Sequence, residues 1–284
     1  MSDPTNTHAP FSAERLEELL DSALRASLRA GAELLRIYRS DYAVSHKADA
    51  SPVTEGDLAS QKAILAVLQA DAPEIPVLSE EQAEVPYPER RDWAHAWVVD
   101  PLDGTKEFLK ENGEFTTNVA LISAGRPILG VVYAPAVGTI YWGSEAVGAY
   151  RGSIDPEELE DMVDANALRA RGQRLPIMAA SSRPFTIAAS RSHLNEPTEA
   201  YIAELAAERG EPAWITAGSA VKLCLVAEGS ADVYPRLGTT MEWDSAAGDA
   251  VVRAAGGDVI SYESGEPLRY NKPDLRNPWF VVRR

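Results

Sequence analysis

The stretch "VVDPLDGTKEF", residues 98–108, places two carboxylates, Asp100 and Asp103, three residues apart. Two β-branched residues precede the first acid, which is typical of the buried end of a strand. Pro101 cannot continue a strand ladder and Gly104 permits a tight turn, so the chain is predicted to turn with both acids near one point. Carboxylates that close repel each other, and the pair needs a cation, a shared proton or splayed side chains in water.

Length and composition set the class of protein. The chain has 284 residues and 45% hydrophobic content, which is ordinary for a globular protein of one large domain or two small ones. No apolar run approaches the roughly 18 residues needed to span a bilayer, and the N-terminal sequence lacks a basic region followed by an apolar one. We therefore expect a cytoplasmic protein. The one cysteine, Cys224, lies among apolar residues and is expected to be a buried structural thiol.

The charge balance restricts the partners. A net charge of −16 argues against nucleic-acid polymers, because polymer binding needs a basic face that releases counterions. An anionic metabolite stays open, provided that bound metal ions and a few local Lys or Arg residues receive it. The simplest reading of the acidity is solubility.

Hydrophobic periodicity outlines the elements. An amphipathic helix is predicted over residues 11–40 with Ser12 as its N-cap, and a second helix over 57–70. Strands dominate residues 95–151 and form two hairpins. The stretch 156–175 is polar and weakly patterned, which makes it a candidate connection. Strands and helices alternate after it, so we expect a boundary there.

Acidic residues stand out at three places in the sequence. Glu80 follows a short strand, Asp100 and Asp103 follow another, and Asp244 lies where a helix should begin. Taken singly, each has a structural alternative: surface acids at strand ends are common, and Asp244 could be an N-cap worth about 1 kcal/mol. Together, with a main-chain carbonyl such as that of Leu102, they favour a site for Mg²⁺ or Mn²⁺ and not for zinc.

Hard cations in turn suggest phosphate chemistry. Gly104 and Thr105 follow the acidic pair and are predicted to open a helical turn, whose N–H groups can donate to a phosphate oxygen. Two ions about 4 Å apart can activate a water, hold the phosphate and stabilise the leaving oxygen without a covalent intermediate.

Three signatures carry a family resemblance. "LSEE" (78–81), "WVVDPLDGT" (97–105) and "WDSAAGDA" (243–250) resemble, in order and spacing, the lithium-sensitive, magnesium-dependent phosphatases that include inositol monophosphatase and fructose-1,6-bisphosphatase. Further segments are similar to one branch, the 3'(2'),5'-bisphosphate nucleotidases of the CysQ type. These segments are "SPVTEGD", "DPLDGTKEFLKENGEFTTNVALI", "ASRSH", "GSAVKLCLVAEG" and "YPRLGTTMEWD". The resemblance runs from about residue 12 to the C-terminus.

The resemblance implies a fold and its division. The fold is a layered αβαβα sandwich, combining an α+β part with an α/β part. The N-terminal part, residues 1–155, would carry most metal ligands. The C-terminal part, residues 176–284, would carry the nucleotide-side residues and the last metal ligand, and residues 156–175 would connect the two. The site would lie between the parts.

The resemblance also assigns site residues. Two or three Mg²⁺ ions, with Mn²⁺ as a possible substitute, would be held by Glu80, Asp100, Asp103, Asp244 and the carbonyl of Leu102. Glu80, Leu102, Asp103 and Asp244 would thereby also face the substrate.

Catalytic and substrate-side roles follow in the same way. Gly104 and Thr105 would cradle the scissile phosphate, and Asp57 together with Thr105 would position and deprotonate the attacking water. The nucleotide and its second phosphate would contact four further residues: His193, Ser219, Lys222 and Arg236. From the residues alone, Asp57 reads as another N-cap, His193 as a turn residue and Lys222 as an exposed helix position.

The chain departs from the family pattern at two substrate-side positions. Ala220 stands where a second serine is usual and Thr239 where a proline is common. These departures concern the shape of the nucleotide pocket and leave the metal ligands untouched.

The implied activity is removal of the 3'-phosphate of adenosine 3',5'-bisphosphate to give AMP and phosphate, which would clear a by-product of sulfate assimilation. Two alternatives stay open. One is a phosphatase of the same chemistry acting on inositol or sugar phosphates, and the other is a metal- and nucleotide-binding regulator that does not turn over. A monomer and a homodimer are both compatible with the sequence, as is weak association with the cytoplasmic side of the inner membrane.

Overall fold

The computed structural model describes residues 11–40, 44–46, 52–82, 85–157, 164–179, 183–189 and 195–284. The helices are α1 (Ala13–Tyr38), α2 (Glu55–Asp71), α3 (Tyr87–Arg90), α4 (Thr105–Leu109), α5 (Ala165–Arg171), α6 (Glu196–Arg209), α7 (Val221–Glu228) and α8 (Glu242–Ala254). The first strands are β1 (Val44–His46), β2 (Pro52–Thr54), β3 (Val77–Ser79), β4 (His95–Asp103), β5 (Thr116–Ser123), β6 (Arg126–Ala134) and β7 (Thr139–Ser144). The remaining strands are β8 (Gly148–Ser153), β9 (Gln173–Arg174), β10 (Thr186–Ala189), β11 (Ala213–Thr216), β12 (Val233–Arg236), β13 (Asp258–Ser261) and β14 (Phe280–Arg283).

The two N-terminal helices form where the periodicity predicts them. Ser12 caps α1, because its hydroxyl accepts a hydrogen bond from the N–H of Arg15 at 3.2 Å. Leucines at helical spacing along α1 are buried and pack against α2 and the first sheet. Helix α2 begins two residues earlier than predicted, at Glu55.

A seven-stranded sheet in the order β3-β4-β5-β6-β7-β8-β9 occupies the middle of the chain. The two predicted hairpins are its β5–β6 and β7–β8 pairs, both antiparallel. The first hairpin turns at Ala124 and Gly125, where φ is positive for both residues, and β6 already begins at Arg126.

Alternation along these strands directs side chains to two cores. Trp97 and Val99 of β4 face the core under α1 and α2. Ala96 and Val98 of the same strand face the opposite core, which α7 and α8 close. Both faces of the sheet are therefore covered, which explains why its strands are almost continuously apolar.

The second sheet has the strand order β11-β10-β12-β14-β13. Helices α7 and α8 contact strands of both sheets, and α6 packs against β12. Strand β12 was not among the predicted elements, because its short sequence "VYPR" contains Pro235 and shows no alternation. The layers confirm the expected αβαβα sandwich of the inositol monophosphatase type.

The described residues of the polar stretch 156–175, namely 156–157 and 164–175, include secondary structure. They contain α5, which packs on β8 and α1, and β9, which pairs with β8 as the last strand of the first sheet. The division into parts 1–155 and 176–284 stays a prediction. Among the described residues, no helix combines the length and the apolar character that a bilayer crossing requires.

Candidate active site

Helix α2 ties together the two turns that carry acidic residues. The hydroxyl of Ser60 donates to the carbonyl of Pro101 at 2.6 Å, and Ser79 donates to the side-chain oxygen of Gln61 at 2.6 Å. All these side chains are buried. Because one helix holds the end of β3 and the turn in β4, the residues that follow them are brought to one place.

The turn at the end of β4 has the predicted cause but a different extent. Strand β4 runs on to Asp103, yet its pairing with β5 shifts between Asp100 and Asp103, so Pro101 lies at a bulge. The N–H of Leu102 donates to Oδ1 of Asp100 at 3.1 Å. The side chain of Leu102 is buried in a small cluster with Phe108 and its neighbours, and this packing holds the turn in place.

Three carboxylates from distant parts of the chain meet beside this turn. Glu80, Asp100 and Asp244 each offer an oxygen, and the three oxygens lie within 4.8 Å of one another. Burial raises the pKa of Asp100 well above its ordinary value, and the charges of Glu80 and Asp103 act in the same direction. Three of the four predicted carboxylate ligands therefore share one point.

Asp103, the fourth carboxylate, lines a pocket beside this cluster together with Asp244 and Lys222. Its Oδ2 is 3.4 Å from the amide nitrogen of Asn118. Burial raises the pKa of Asp103 to about 6, and the charge of Lys222 and a main-chain hydrogen bond from Ala220 act against this rise. Asp103 thus faces both the acidic cluster and the basic side chain of α7.

Asp244 is not the N-cap of its helix, which was the structural alternative that the sequence left open. Helix α8 begins at Glu242 with Met241 as its N-cap, and Asp244 is the third helical residue. Its Oδ2 accepts a hydrogen bond from the N–H of Met241 at 2.9 Å. Burial, followed by the charge of Asp103, raises the pKa of Asp244 to about 8.

The cluster suits a hard metal cation. All its ligand atoms are carboxylate oxygens, which hard cations prefer. Burial and the charges of neighbouring acids raise the pKa of Asp100 and of Asp244, so the surroundings disfavour their ionised forms. A cation there would supply compensating charge, and Glu80, Asp100, Asp103, Asp244 and the carbonyl of Leu102 are the groups that would hold it.

Asp57 and Thr105 are brought together across the site. Oδ1 of Asp57 lies 3.5 Å from the hydroxyl of Thr105, which is also 3.5 Å from the carbonyl of Leu102. The other oxygen of Asp57 accepts hydrogen bonds from the N–H and the hydroxyl of Thr54, at 2.6 and 2.7 Å. Asp57 is therefore part of a capping box on α2, at the third helical position and not at the N-cap, and it also faces Thr105.

Gly104 is required by the backbone and by its neighbour. Its φ is +93°, in the left-handed region. A Cβ on Gly104 would also come within 2.5 Å of Oγ of Ser219. The Ser219 hydroxyl lies 2.8 Å from the carbonyl of Asp103 and 2.9 Å from that of Glu114. Ser219 thus binds the acidic turn to the start of α7.

Lys222 is the clearest correction to the sequence reading. Its side chain was expected to be exposed, but the residue is only 4% exposed, and Nζ donates to the carbonyls of Ser219 and Ala217 at 2.8 and 3.1 Å. Burial lowers the pKa of Lys222 to about 8, while Asp103 acts in the opposite direction. The amphipathic pattern cannot reveal this, because both faces of α7 are covered.

Arg236 lies at the end of β12 on the rim of the same pocket. Nη2 is 3.3 Å from the carbonyl of Thr239. The pocket is lined by residues of the acidic turn, α7, β12 and the start of α8. Its lining includes Asp103, Gly104, Glu107, Ser219, Lys222, Arg236 and Asp244. All of these except Glu107 were predicted site residues, so six predicted residues line one cavity. Glu80 and Asp100 meet Asp244 beside it. Asp57 meets Thr105, the residue that follows Gly104.

One predicted site residue cannot be placed, and two residues that were not predicted line the pocket. His193 lies outside the described residues. Glu107 and Tyr234 line the pocket without having been singled out. Glu107 was within the quoted "DGTKEF" motif, and Tyr234 directly precedes the Pro-Arg pair, so their neighbours in sequence were the available signal.

Comparison with known proteins matches the chain to one family over nearly its whole length. The model of the inositol monophosphatase family matches residues 15–279. A 3'(2'),5'-bisphosphate nucleotidase CysQ of Shigella flexneri is 42% identical over 267 residues, which cover 93% of this chain and 99% of that protein.

Solved structures agree with the sequence comparison. The crystal structure of CysQ from Bacteroides thetaiotaomicron is 45% identical, has a TM-score of 0.83, and aligns over 93% of this chain and 96% of that one. Inositol monophosphatase from Anabaena (Nostoc) sp. PCC 7120 is 24% identical with a TM-score of 0.69, covering 95% of this chain and 91% of that one, which shows the shared fold.

Proposed function

The chain belongs to the inositol monophosphatase family, in the branch of the CysQ bisphosphate nucleotidases, and we propose that it hydrolyses the 3'-phosphate of adenosine 3',5'-bisphosphate to AMP and phosphate. It is a metal-dependent phosphatase of that family. The observation that carries the proposal is the meeting of Glu80, Asp100 and Asp244 within 4.8 Å, beside a pocket with two basic side chains.

Mg²⁺ is the proposed metal. Carboxylate and carbonyl oxygens in a buried cluster fit its preference for oxygen ligands, and two or three ions are proposed, with Mn²⁺ as a substitute. When bound, such ions supply Lewis-acid stabilisation of phosphate oxygens and lower the pKa of water.

The proposed role of Asp57 and Thr105 is to orient the attacking water and take its proton. Thr105 can accept a hydrogen bond from the water and donate its own hydrogen to Asp57, whose Oδ1 is 3.5 Å away. Burial raises the pKa of Asp57, and an acid with a raised pKa is a better proton acceptor than an ordinary one. The N–H groups of Gly104 and Thr105 are proposed to donate to the scissile phosphate.

The second phosphate needs cations that the protein itself supplies. In a chain of net charge −16, a dianion is held only where local basic groups outweigh the mean field. Lys222 and Arg236 line the pocket beside Asp103 and are the proposed partners. Ser219 shapes the pocket, and His193 is retained as a nucleotide contact by family resemblance.

Several coarser expectations remain part of the proposal. The parts 1–155 and 176–284 are proposed to share the site, since Asp100 comes from the first and Asp244 from the second. The protein is proposed to act on a small nucleotide, as a monomer or a homodimer, in the cytoplasm, with weak association at the inner membrane left open.

A substrate panel tests the function. Phosphate release should be fastest with adenosine 3',5'-bisphosphate in the presence of Mg²⁺, slower with inositol monophosphate and 3'-AMP, and lost after chelation. Ca²⁺ and Li⁺ should inhibit, because they do not meet the octahedral oxygen geometry that Mg²⁺ adopts. Preference for inositol or sugar phosphates would identify the alternative phosphatase, and nucleotide binding without turnover would identify a regulator.

A further inference from the structure

A short segment, residues 271–273, lies between two buried charged side chains near the acidic cluster. Arg90 contacts it from one side and Glu242 from the other, and each of these two residues is 0% exposed. Neither residue was singled out by its sequence context. Both belong to chain segments that carry proposed metal ligands.

All three guanidinium nitrogens of Arg90 donate hydrogen bonds, and two of them bind the segment. Nη1 donates to Oδ1 of Asn271 at 2.8 Å and to the carbonyl of Lys272 at 2.7 Å, and Nη2 donates to the carbonyl of Pro273 at 3.2 Å. Nε donates to the carbonyl of Val85 at 3.1 Å. In return, the side-chain N–H of Asn271 donates to the carbonyl of Arg90 at 2.7 Å.

Glu242 holds the other side of the same segment. Its two carboxylate oxygens accept from the N–H of Asn271 at 2.5 Å and from the N–H of Lys272 at 3.0 Å, and from Nζ of Lys272 at 2.5 Å. Its own N–H donates to the carbonyl of Leu275 at 2.9 Å. Glu242 is the first residue of α8, and Asp244 lies two residues further on.

The Arg90 side leads to the other ligands of the cluster. Residues 80–94 connect β3 with β4. Glu80 is the first residue of this connection, and β4 carries Asp100. Arg90 ends α3 within this connection and binds it at Val85. The start of α8 and the β3–β4 connection therefore meet through residues 271–273.

We propose that Arg90 is a positioning residue, which sets the separation of Glu80 and Asp244 by holding residues 271–273 between the β3–β4 connection and the start of α8. The inference rests on the proposed metal site, because it concerns how that site keeps its shape. Its support is the bonding pattern: a buried guanidinium is costly, and all four acceptors that receive its hydrogen bonds here are neutral. The planar guanidinium of an arginine can donate to several carbonyls at once and so fixes their relative positions. The ammonium of a lysine, on a flexible chain, fixes them less well.

The experiment measures metal binding directly, without turnover. The whole protein is stripped of metal and titrated with Mn²⁺ by calorimetry, well below its melting temperature. Its intrinsic tryptophan fluorescence, to which Trp243 next to Asp244 contributes, is a second signal. Arg90→Met should weaken Mn²⁺ binding by about 10-fold or more, and Arg90→Lys should weaken it less. Asn271→Gly is a second variant, because Asn271 has φ +60°, which glycine adopts freely, so its main effect is to remove the bonds to Arg90.

A control variant removes another arginine whose side chain is largely covered. The side chain of Arg183 is 10% exposed, its Nε donates to the carbonyl of Gly229 at 2.6 Å, and its Nη1 is bound to Asp232. Arg183→Met should lower the melting temperature and leave Mn²⁺ affinity within about 2-fold of the unmodified protein.

Two results would overturn the proposal. If the Arg90 and Asn271 variants lose melting temperature like Arg183→Met but bind Mn²⁺ within 2-fold of the unmodified protein, Arg90 is only structural. If Arg90→Met does not fold, Asn271→Gly and Arg90→Lys decide the question: a lower melting temperature with Mn²⁺ affinity within 2-fold of the unmodified protein would show that Arg90 is only structural. If the unmodified protein itself binds no Mn²⁺, the proposed metal site fails first and the inference fails with it.

Discussion

The carboxylate of Asp57 lies 3.5 Å from the hydroxyl of Thr105, although 48 positions separate the two residues in the chain. The same carboxylate closes the capping box of α2 through Thr54. Asp57 therefore makes contacts through both oxygens, one set within the start of α2 and one with Thr105. The structural role and the proposed catalytic role can be separated by experiment, since loss of the first would affect stability and loss of the second would affect turnover.

Asp57→Asn should lower kcat by roughly 10²-fold or more with little change in KM, the signature of an interaction made mainly in the transition state. Thr54→Ala is the control. It removes the capping partner, at a cost of about 1 kcal/mol in stability, and keeps the carboxylate near Thr105. Full kcat in Asp57→Asn, with a fall in melting temperature like that of Thr54→Ala, would show that Asp57 only caps the helix.

Asp100→Asn should abolish phosphate release and raise the melting temperature of the metal-free protein. Burial and the neighbouring acids raise the pKa of Asp100, so its charge is unfavourable when no cation is bound. An amide of the same shape removes that repulsion. Thermal unfolding in a chelator, alongside a phosphate assay in Mg²⁺, gives both quantities, and a large fall in melting temperature would contradict the assignment.

Stability without metal should fall as the pH rises from about 5 to 8. Burial raises the pKa of Asp103 to about 6 and of Asp244 to about 8, above the roughly 3.9 of an unfolded chain. The folded protein then binds more protons than the unfolded chain, so this contribution is complete below the unfolded value and is lost as pH rises through the folded values. Melting temperatures in a chelator at several pH values test this.

Two controls accompany the pH series. Excess Mg²⁺ should remove most of the fall, because a bound cation favours the ionised carboxylates. Asp244→Asn should flatten the metal-free curve between pH 6 and 8, the upper part of the window set by the Asp244 value. A melting temperature that rises over this range in the metal-free protein would be contrary to expectation.

Gly104→Ala should impair catalysis more than folding. The left-handed φ of +93° costs a residue with a Cβ about 1 kcal/mol, and the added methyl would meet Oγ of Ser219. Relief of that clash either moves the acidic turn or the start of α7, or turns the Ser219 hydroxyl away from the carbonyls of Asp103 and Glu114 that it binds. Gly256→Ala is a matched control, since it has φ +85° with nothing within 4 Å of an added Cβ. If both variants lose stability equally and both keep kcat, the turn tolerates displacement.

Arg236→Ala should lower kcat/KM for adenosine 3',5'-bisphosphate by roughly 10- to 100-fold, because a charge-assisted bond to phosphate contributes about 1.5 to 3 kcal/mol. Hydrolysis of 3'-AMP or inositol monophosphate, which lack the second phosphate, should start low and change little. Equal losses on every substrate would instead make Arg236 a general part of the site. Arg276→Ala, which removes an exposed partner of Asp274, serves as the charge-matched control.

Local features of the site were predictable because they depend on neighbours in sequence. Pro101 and Gly104 force the chain to turn between two acids, and the structure places the bulge and the left-handed residue there. The leucine spacing of α1 and the cap at Ser12 likewise depend only on the helical repeat. The order and spacing of the acidic signatures further allowed the family and its layered fold to be inferred.

What only the tertiary structure decided are the contacts between distant segments. Lys222 is buried because α7 is covered on both faces, which no single-helix pattern records. The capping signal alone could not show that Asp57, besides its two hydrogen bonds with Thr54, also faces Thr105.

Arg90 and Glu242 show the same limit most clearly. Each reads as an ordinary surface charge in its own segment, since charged residues are seldom fully buried. Their burial arises only when residues 271–273 pass between them and satisfy their hydrogen bonds. The sequence by itself determined the chemistry of the acidic turn and the family of the fold. The tertiary structure alone decided which remote side chains surround that turn and the segments beside it, because hydrogen-bond partners of buried charges come from whichever segments the completed fold brings beside them.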